Sequence, residues 1–123
     1  MRFAVKLGTD IIGFSELEGG DPPMGVAHGR FMPTPVYDSV RQYCIERRDK
    51  GASIAGLVVE TADGVPIECS GGTQIIDLSP DLGERGIQIF LNGVVNPSYG
   101  ELFPQHVEAY RSSSNDDDCF ILP

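Results

Sequence analysis

Few side chains in this sequence are able to do chemistry, and they are scattered. His28 and His106 are the two histidines, and each is a candidate general base or metal ligand because imidazole titrates near neutral pH. Cys69 and Asp77 flank Gly71-Gly72. Joined by either histidine they would form a Cys–His–Asp nucleophilic set. Glu16, Glu18 and Asp21 place three carboxylates at a Gly/Pro-rich loop, where they would suit a cation or the basic surface of a partner. His28 and His106 join these three as candidate binding residues.

Each feature also has a plainer reading. His28 lies between Ala27 and Gly29 in an extended segment and reads equally as a strand histidine bonded to a neighbour. His106 borders the apolar positions Phe103, Val107 and Tyr110, as a boundary residue of a helix would. A lone strand cysteine is usually a small core hydrophobe. The Glu16–Asp21 spacing fits no calcium loop, and Asp116-Asp117-Asp118 reads as a solvated charge run. Phosphate-binding, dinucleotide-binding, zinc-protease and serine-hydrolase motifs do not occur. No cofactor and no metal is expected.

The elements that must position these residues follow from pattern. Phe3, Val5 and Leu7 alternate as one face of a strand, and Ile11 to Leu17 reads as a second. Gly19-Gly20-Asp21-Pro22-Pro23 is a loop signal. Met24 to Met32 returns as a strand. Its small residues, Gly25, Ala27 and Gly29, predict a helix packed close against one face. Thr34 and Pro35 suit the cap and first position of a helix. Its stripe is Val36, Tyr37, Val40, Tyr43 and Cys44, and Gly51 suits its end. Ile54 to Glu60 and Val65 to Cys69 flank Asp63-Gly64, a hairpin signal. Thr73 to Leu78 and Gly86 to Val95 read as further strands, with a turn or short helical turn at Ser79–Gly83. Ser98 and Glu101 form a capping box, and a helix is expected from about Pro104 with Phe103, Val107 and Tyr110 facing inward. These elements predict an α+β domain over residues 1–111. Its architecture would be a mainly antiparallel sheet of about six or seven strands with two helices on one face. Residues 112–123 would be an acidic, partly mobile tail, ending in an apolar Cys119–Pro123 that adds an edge strand, covers a groove or docks on a second copy.

Composition bounds the function. The 123 residues make one ordinary domain, 41% hydrophobic and 22% charged, which is globular rather than disordered. Three cysteines, Cys44, Cys69 and Cys119, with no close pair exclude a disulfide framework and a C-x-x-C-type zinc site. Eighteen acidic against nine basic residues give a net charge of −9. Nucleic acids and anionic membranes are therefore poor partners, and a basic protein is a better one. No stretch approaches the roughly 20 apolar residues of a membrane span. The opening run Met1–Leu7 is too short for a signal-peptide core and is interrupted by Lys6, so the expected location is the cytosol.

Gly19-Gly20-Asp21-Pro22-Pro23-Met24-Gly25-Val26-Ala27 and Tyr99-Gly100-Glu101-Leu102-Phe103-Pro104-Gln105-His106-Val107 resemble segments of small uncharacterised bacterial proteins. In size and charge the chain is also similar to the immunity proteins that neutralise bacterial toxins. The net charge, the missing catalytic motifs and the acidic loop at Glu16 to Asp21 point to a non-enzymatic protein-binding domain, and an immunity-type inhibitor of a basic partner is one concrete version of it. The alternative is a small hydrolase or metal-dependent enzyme using His28 and His106. These two expectations part on geometry: the enzyme needs both imidazoles to converge in one cleft.

Overall fold

In the computed structural model, residues 2–121 are described, with side chains described through residue 112. The chain is α+β, and every strand pairing is antiparallel. The strands are β1 (Phe3–Leu7), β2 (Asp10–Ser15), β3 (Gly19–Asp21), β4 (Val26–Arg30), β5 (Met32–Pro33), β6 (Leu57–Glu60), β7 (Glu68–Cys69), β8 (Thr73–Asp77), β9 (Ile87–Leu91) and β10 (Val94–Asn96). The helices are α1 (Asp38–Glu46), α2 (Ser79–Leu82), α3 (Tyr99–Leu102) and α4 (Pro104–Ile121). Ten strands form two four-stranded sheets, β5-β2-β1-β6 and β3-β4-β9-β8, and a two-stranded ribbon, β10-β7. This corrects the expectation of one sheet of six or seven strands with two helices.

The correction has a physical cause: continuous apolar segments change sheets at corners. The expected strand Ile11–Leu17 ends at Ser15. Leu17 then turns in the left-handed region at φ 45°, and the chain enters the other sheet as β3. The expected strand Met24–Met32 begins with a 3-10 turn at Pro22–Met24 and breaks at Phe31. The Phe31 amide still reaches back to the Ile87 carbonyl at 2.9 Å, while Met32 and Pro33 have crossed to pair with β2. Gly86–Val95 splits at Asn92-Gly93, leaving β9 in one sheet and β10 against β7. Such bends turn an element from one layer to the next and carry no periodic signal of their own.

The two sheets share one continuous core. Phe3, Val5, Ile12 and Val59 come from one, and Ala27, Ile75, Ile87, Ile89 and Leu91 from the other. Phe103 closes it against Phe3, ring centroids 5.5 Å apart. Burying an aliphatic or aromatic side chain of this kind contributes roughly 1.5–3 kcal/mol.

The first long helix departs from its expected start. Thr34 makes no capping bond; its hydroxyl donates to the Ile11 carbonyl at 2.7 Å. A 3-10 turn, Pro35–Tyr37, precedes α1. Tyr37 and Cys44 are buried, whereas Val36 and Tyr43 of the expected stripe are exposed. Gly51 does turn at φ 82°, its amide bonding the Arg47 carbonyl at 2.8 Å. The Asp63-Gly64 hairpin forms, but its returning arm is a bridge at Pro66 followed by the two residues of β7. Ser98 caps α3 and Pro104 opens α4, as the sequence pattern predicts. The inward position of α4 is His106, 5% exposed, while Tyr110 is exposed. The backbone of α4 runs on through Ile121, so 112–118 continue the helix. The mobility and docking expected of the C-terminal segment, including Cys119, rest on side chains beyond residue 112, which lie outside those described.

Candidate functional site

The site forms where β3 meets α3 and α4. Its register is Gly19 opposite His28, Gly20 opposite Ala27 and Asp21 opposite Val26. Side chains alternate across a strand, so Gly19 and Gly20 face opposite sides of the sheet. A side chain at Gly19 would strike the His28 ring, and one at Gly20 would strike the Tyr99 hydroxyl and His106 Nδ1. The two glycines are therefore required by close approach on both faces. The same register separates the imidazoles. His28 lies on the outer face, its ring 5.3 Å from that of Phe90. His106 lies on the core face with Ala27 and Leu91.

The His106 ring is held on three sides. It stacks on Phe103, centroids 4.9 Å apart and planes 3° from parallel. Tyr99 Oη lies 2.8 Å from Nδ1, and the Tyr99 hydroxyl donates to the Val26 carbonyl at 2.7 Å. Tyr99 has one hydroxyl proton. The direction of the Tyr99–Nδ1 contact follows the imidazole tautomer. Nε2 is buried without a hydrogen-bond partner. Burial pushes the His106 pKa down; the Leu17 carbonyl opposes this, His28 adds to it, and Glu18 opposes it. Burial, with Asp21 nearby, pushes the Tyr99 hydroxyl up to about 12. This pair is neutral at pH 7 and acts as a fixed polar clasp between α3, α4 and β4.

Outside the clasp lies a cleft of about 380 Å³. Glu18 to Pro22 form one wall, and His106, Ala109 and Tyr110 of α4 form the other. Among the described residues, two carboxylates and no Lys or Arg line it. Glu18 has a structural role as well. Its Oε1 accepts the Arg30 amide at 2.6 Å, standing in for a ladder carbonyl where β3 has ended. Asp21 is exposed and its side chain caps nothing. Glu16 is exposed and does not line the cleft. A second depression, about 400 Å³ at the end of α1, mixes Glu46 and Asp49 with Arg47 and Lys50.

The Cys–His–Asp set does not assemble. Asp77 pairs with Ile87 at one end of the β8–β9 ladder, whereas Gly20 shares the row of Ala27 and Leu91 at the other. That separates them by about 13 Å along the strands and about 14 Å across them. Asp77 is instead buried in its own network. Oδ2 accepts the Tyr37 hydroxyl at 2.6 Å and Oδ1 accepts the Ser79 amide at 2.8 Å. Arg41 lies over the Tyr37 ring and donates to Glu84, Asp38 and the Ser79 hydroxyl. Burial pushes the Tyr37 hydroxyl up, as do its bonds to Asp77 and Cys44. Cys69 pairs opposite Val94 in the β7–β10 ribbon. Burial pushes its thiol up, opposed by a bond from Thr73, the reverse of an activated nucleophile. Among the described residues, no three His, Cys, Asp or Glu side chains gather to hold a metal. The His28–His106 enzyme expectation thus loses the convergence it required.

Sequence reasoning missed Tyr99 and Tyr37. Tyr99 stands beside the recognised cap at Ser98, and its seven-residue separation from His106 spans two helices broken at Phe103, so no single helical period links them. Tyr37 was legible as a helix-face residue, but its partner Asp77 lies 40 positions away.

No family of known proteins, no curated protein and no solved structure matches this chain. Among the described residues, no helix is long and apolar enough to cross a membrane.

Proposed function

We propose that this chain is a non-enzymatic protein-binding domain that receives a cationic segment of a partner protein in the cleft between β3 and α4. The supporting observation is the lining of that cleft: the carboxylates of Glu18 and Asp21, no basic residue, and the Tyr110 ring, 46% exposed. A lysine or arginine suits it. Its aliphatic stem lies along Pro22 and Tyr110, and its charge reaches Asp21. One exposed ion pair contributes only about 0.2–1 kcal/mol, so affinity comes from several contacts. The net charge of −9 accelerates encounter with a basic partner. An immunity-type inhibitor of a basic toxin is one concrete form of this reading, and the free thiols of buried Cys44 and half-buried Cys69 fit a reducing cytosol.

Calorimetric titration with a lysine-rich peptide tests it. Binding should weaken as salt rises, and Asp21→Asn should weaken it further. Asp21 is the residue to change because Glu18 also holds the Arg30 amide. Salt-independent binding, or equal binding by Asp21→Asn, rejects the proposal.

A further inference from the structure

The two four-stranded sheets have four outer edges, and three are covered or blunted. Ala52 exchanges backbone bonds with Ile75 outside β8, at 2.8 and 3.0 Å. The Ile67 amide reaches the Val59 carbonyl outside β6 at 2.8 Å. β5 is two residues long and ends in Pro33, which has no amide proton. These are the usual devices against unwanted strand pairing. β3 is the exception. It stands at the end of its sheet. Among the described residues, no loop or turn backbone bond reaches Gly19 or Gly20, and Asp21 stands at the start of the 3-10 turn Pro22–Met24. Gly20 and Asp21 are exposed. The acidic cleft lies against this edge, with Ala109 and Tyr110 facing it from α4.

We propose that the cleft admits an extended, lysine- or arginine-bearing segment of the partner protein, which adds to the sheet as a strand beside β3. This rests on the reading of the cleft as a cation-binding site and specifies how the segment is held. Alternate residues of an edge strand direct both N–H and C=O outward, so β3 offers a short template for main-chain bonds. In strand addition these bonds give affinity and the side-chain contacts give selectivity. Here Asp21 selects a positive side chain and Tyr110 receives an apolar stem. The occupant is a basic extended peptide because the lining carries carboxylates without a cation and the exposed backbone is in strand geometry.

The test uses a short peptide of alternating lysine and valine, acetylated and amidated, and the same peptide with every backbone amide N-methylated. Both carry the same charge, and only the first can donate to a ladder. Affinity is measured for the wild-type chain and for Asp21→Asn, and amide shifts are followed by NMR on labelled protein. The expected result is binding of the first peptide about tenfold or more tightly than the second, with shifts centred on Gly19, Gly20 and Asp21. Equal affinity of the two peptides, both weakened by Asp21→Asn, leaves the cation-binding reading standing and overturns strand addition. Shifts centred on another sheet edge also overturn it. Failure of both peptides to bind at low salt overturns the inference together with the reading beneath it.

Discussion

Replacing Tyr37 by phenylalanine should remove one hydroxyl and little else. The ring is fully buried against Phe31, centroids 5.0 Å apart, with the Arg41 guanidinium 5.0 Å above it, and phenylalanine keeps both contacts. What disappears is the 2.6 Å donation to Asp77 Oδ2, together with the contact to the Cys44 thiol. Asp77 is fully buried and its other oxygen is committed to the Ser79 amide, so Oδ2 is left without a donor. A hydrogen bond to a charged group contributes about 1.5–3 kcal/mol, and an orphaned buried acceptor costs a similar amount. The chain has 123 residues. At about 2.1 cal/mol/K of unfolding entropy per residue the loss corresponds to a fall in Tm of about 6–12 °C. Urea unfolding at neutral pH, with an unchanged slope and a lower midpoint, measures it. A loss below about 0.5 kcal/mol, ordinary for a neutral surface change, would refute the assignment of Tyr37 and Asp77 as a buried, mutually dependent pair.

Other outcomes follow from the same geometry. Because burial holds the folded-state pKa of His106 below its ordinary value, the unfolded chain takes up a proton first on acidification. The stability from the neutral ring is therefore full above about pH 6.5 and is lost as pH falls through the lower folded-state value. His106→Gln should flatten the urea-midpoint profile between neutral and mildly acid pH, and profiles of equal slope would contradict this. Gly20→Ala drives a methyl into Tyr99 and His106 and should cost about 1–3 kcal/mol, read as a lower thermal midpoint. Burial pushes the thiols of Cys44 and Cys69 up. Both should react slowly with a thiol reagent near neutral pH and much faster in denaturant, and fast labelling at Cys44 or Cys69, located by peptide mass spectrometry, would contradict their placement.

Local signals were legible where one stretch of chain decides the outcome. The Ser98–Glu101 cap, the Pro104 start of α4, the Gly51 stop and the Asp63-Gly64 hairpin all follow from neighbouring residues and all form. Strand boundaries were legible only in part. An apolar run such as Met24–Met32 satisfies the periodicity of one strand whether it stays in one sheet or crosses to another. Glu18 shows the same limit within the site. Its place in an acidic cluster was plain, but its bond to the Arg30 amide depends on where β3 ends.

The sequence alone determined the class of molecule: an acidic α+β chain with antiparallel strands, a last helix opening at Pro104, and no run of residues carrying a known catalytic pattern. Composition and local spacing suffice for that, because propensity, capping and charge are properties of the chain itself. The tertiary structure decided what meets what. It placed His28 and His106 on opposite sides of β3, tied His106 to Tyr99, buried Asp77 under Tyr37 and set the acidic cleft against the β3 edge. Those relations depend on register, where a shift of one residue turns a side chain from the core to the outside, and on sheet crossings that leave the periodicity of the sequence unchanged.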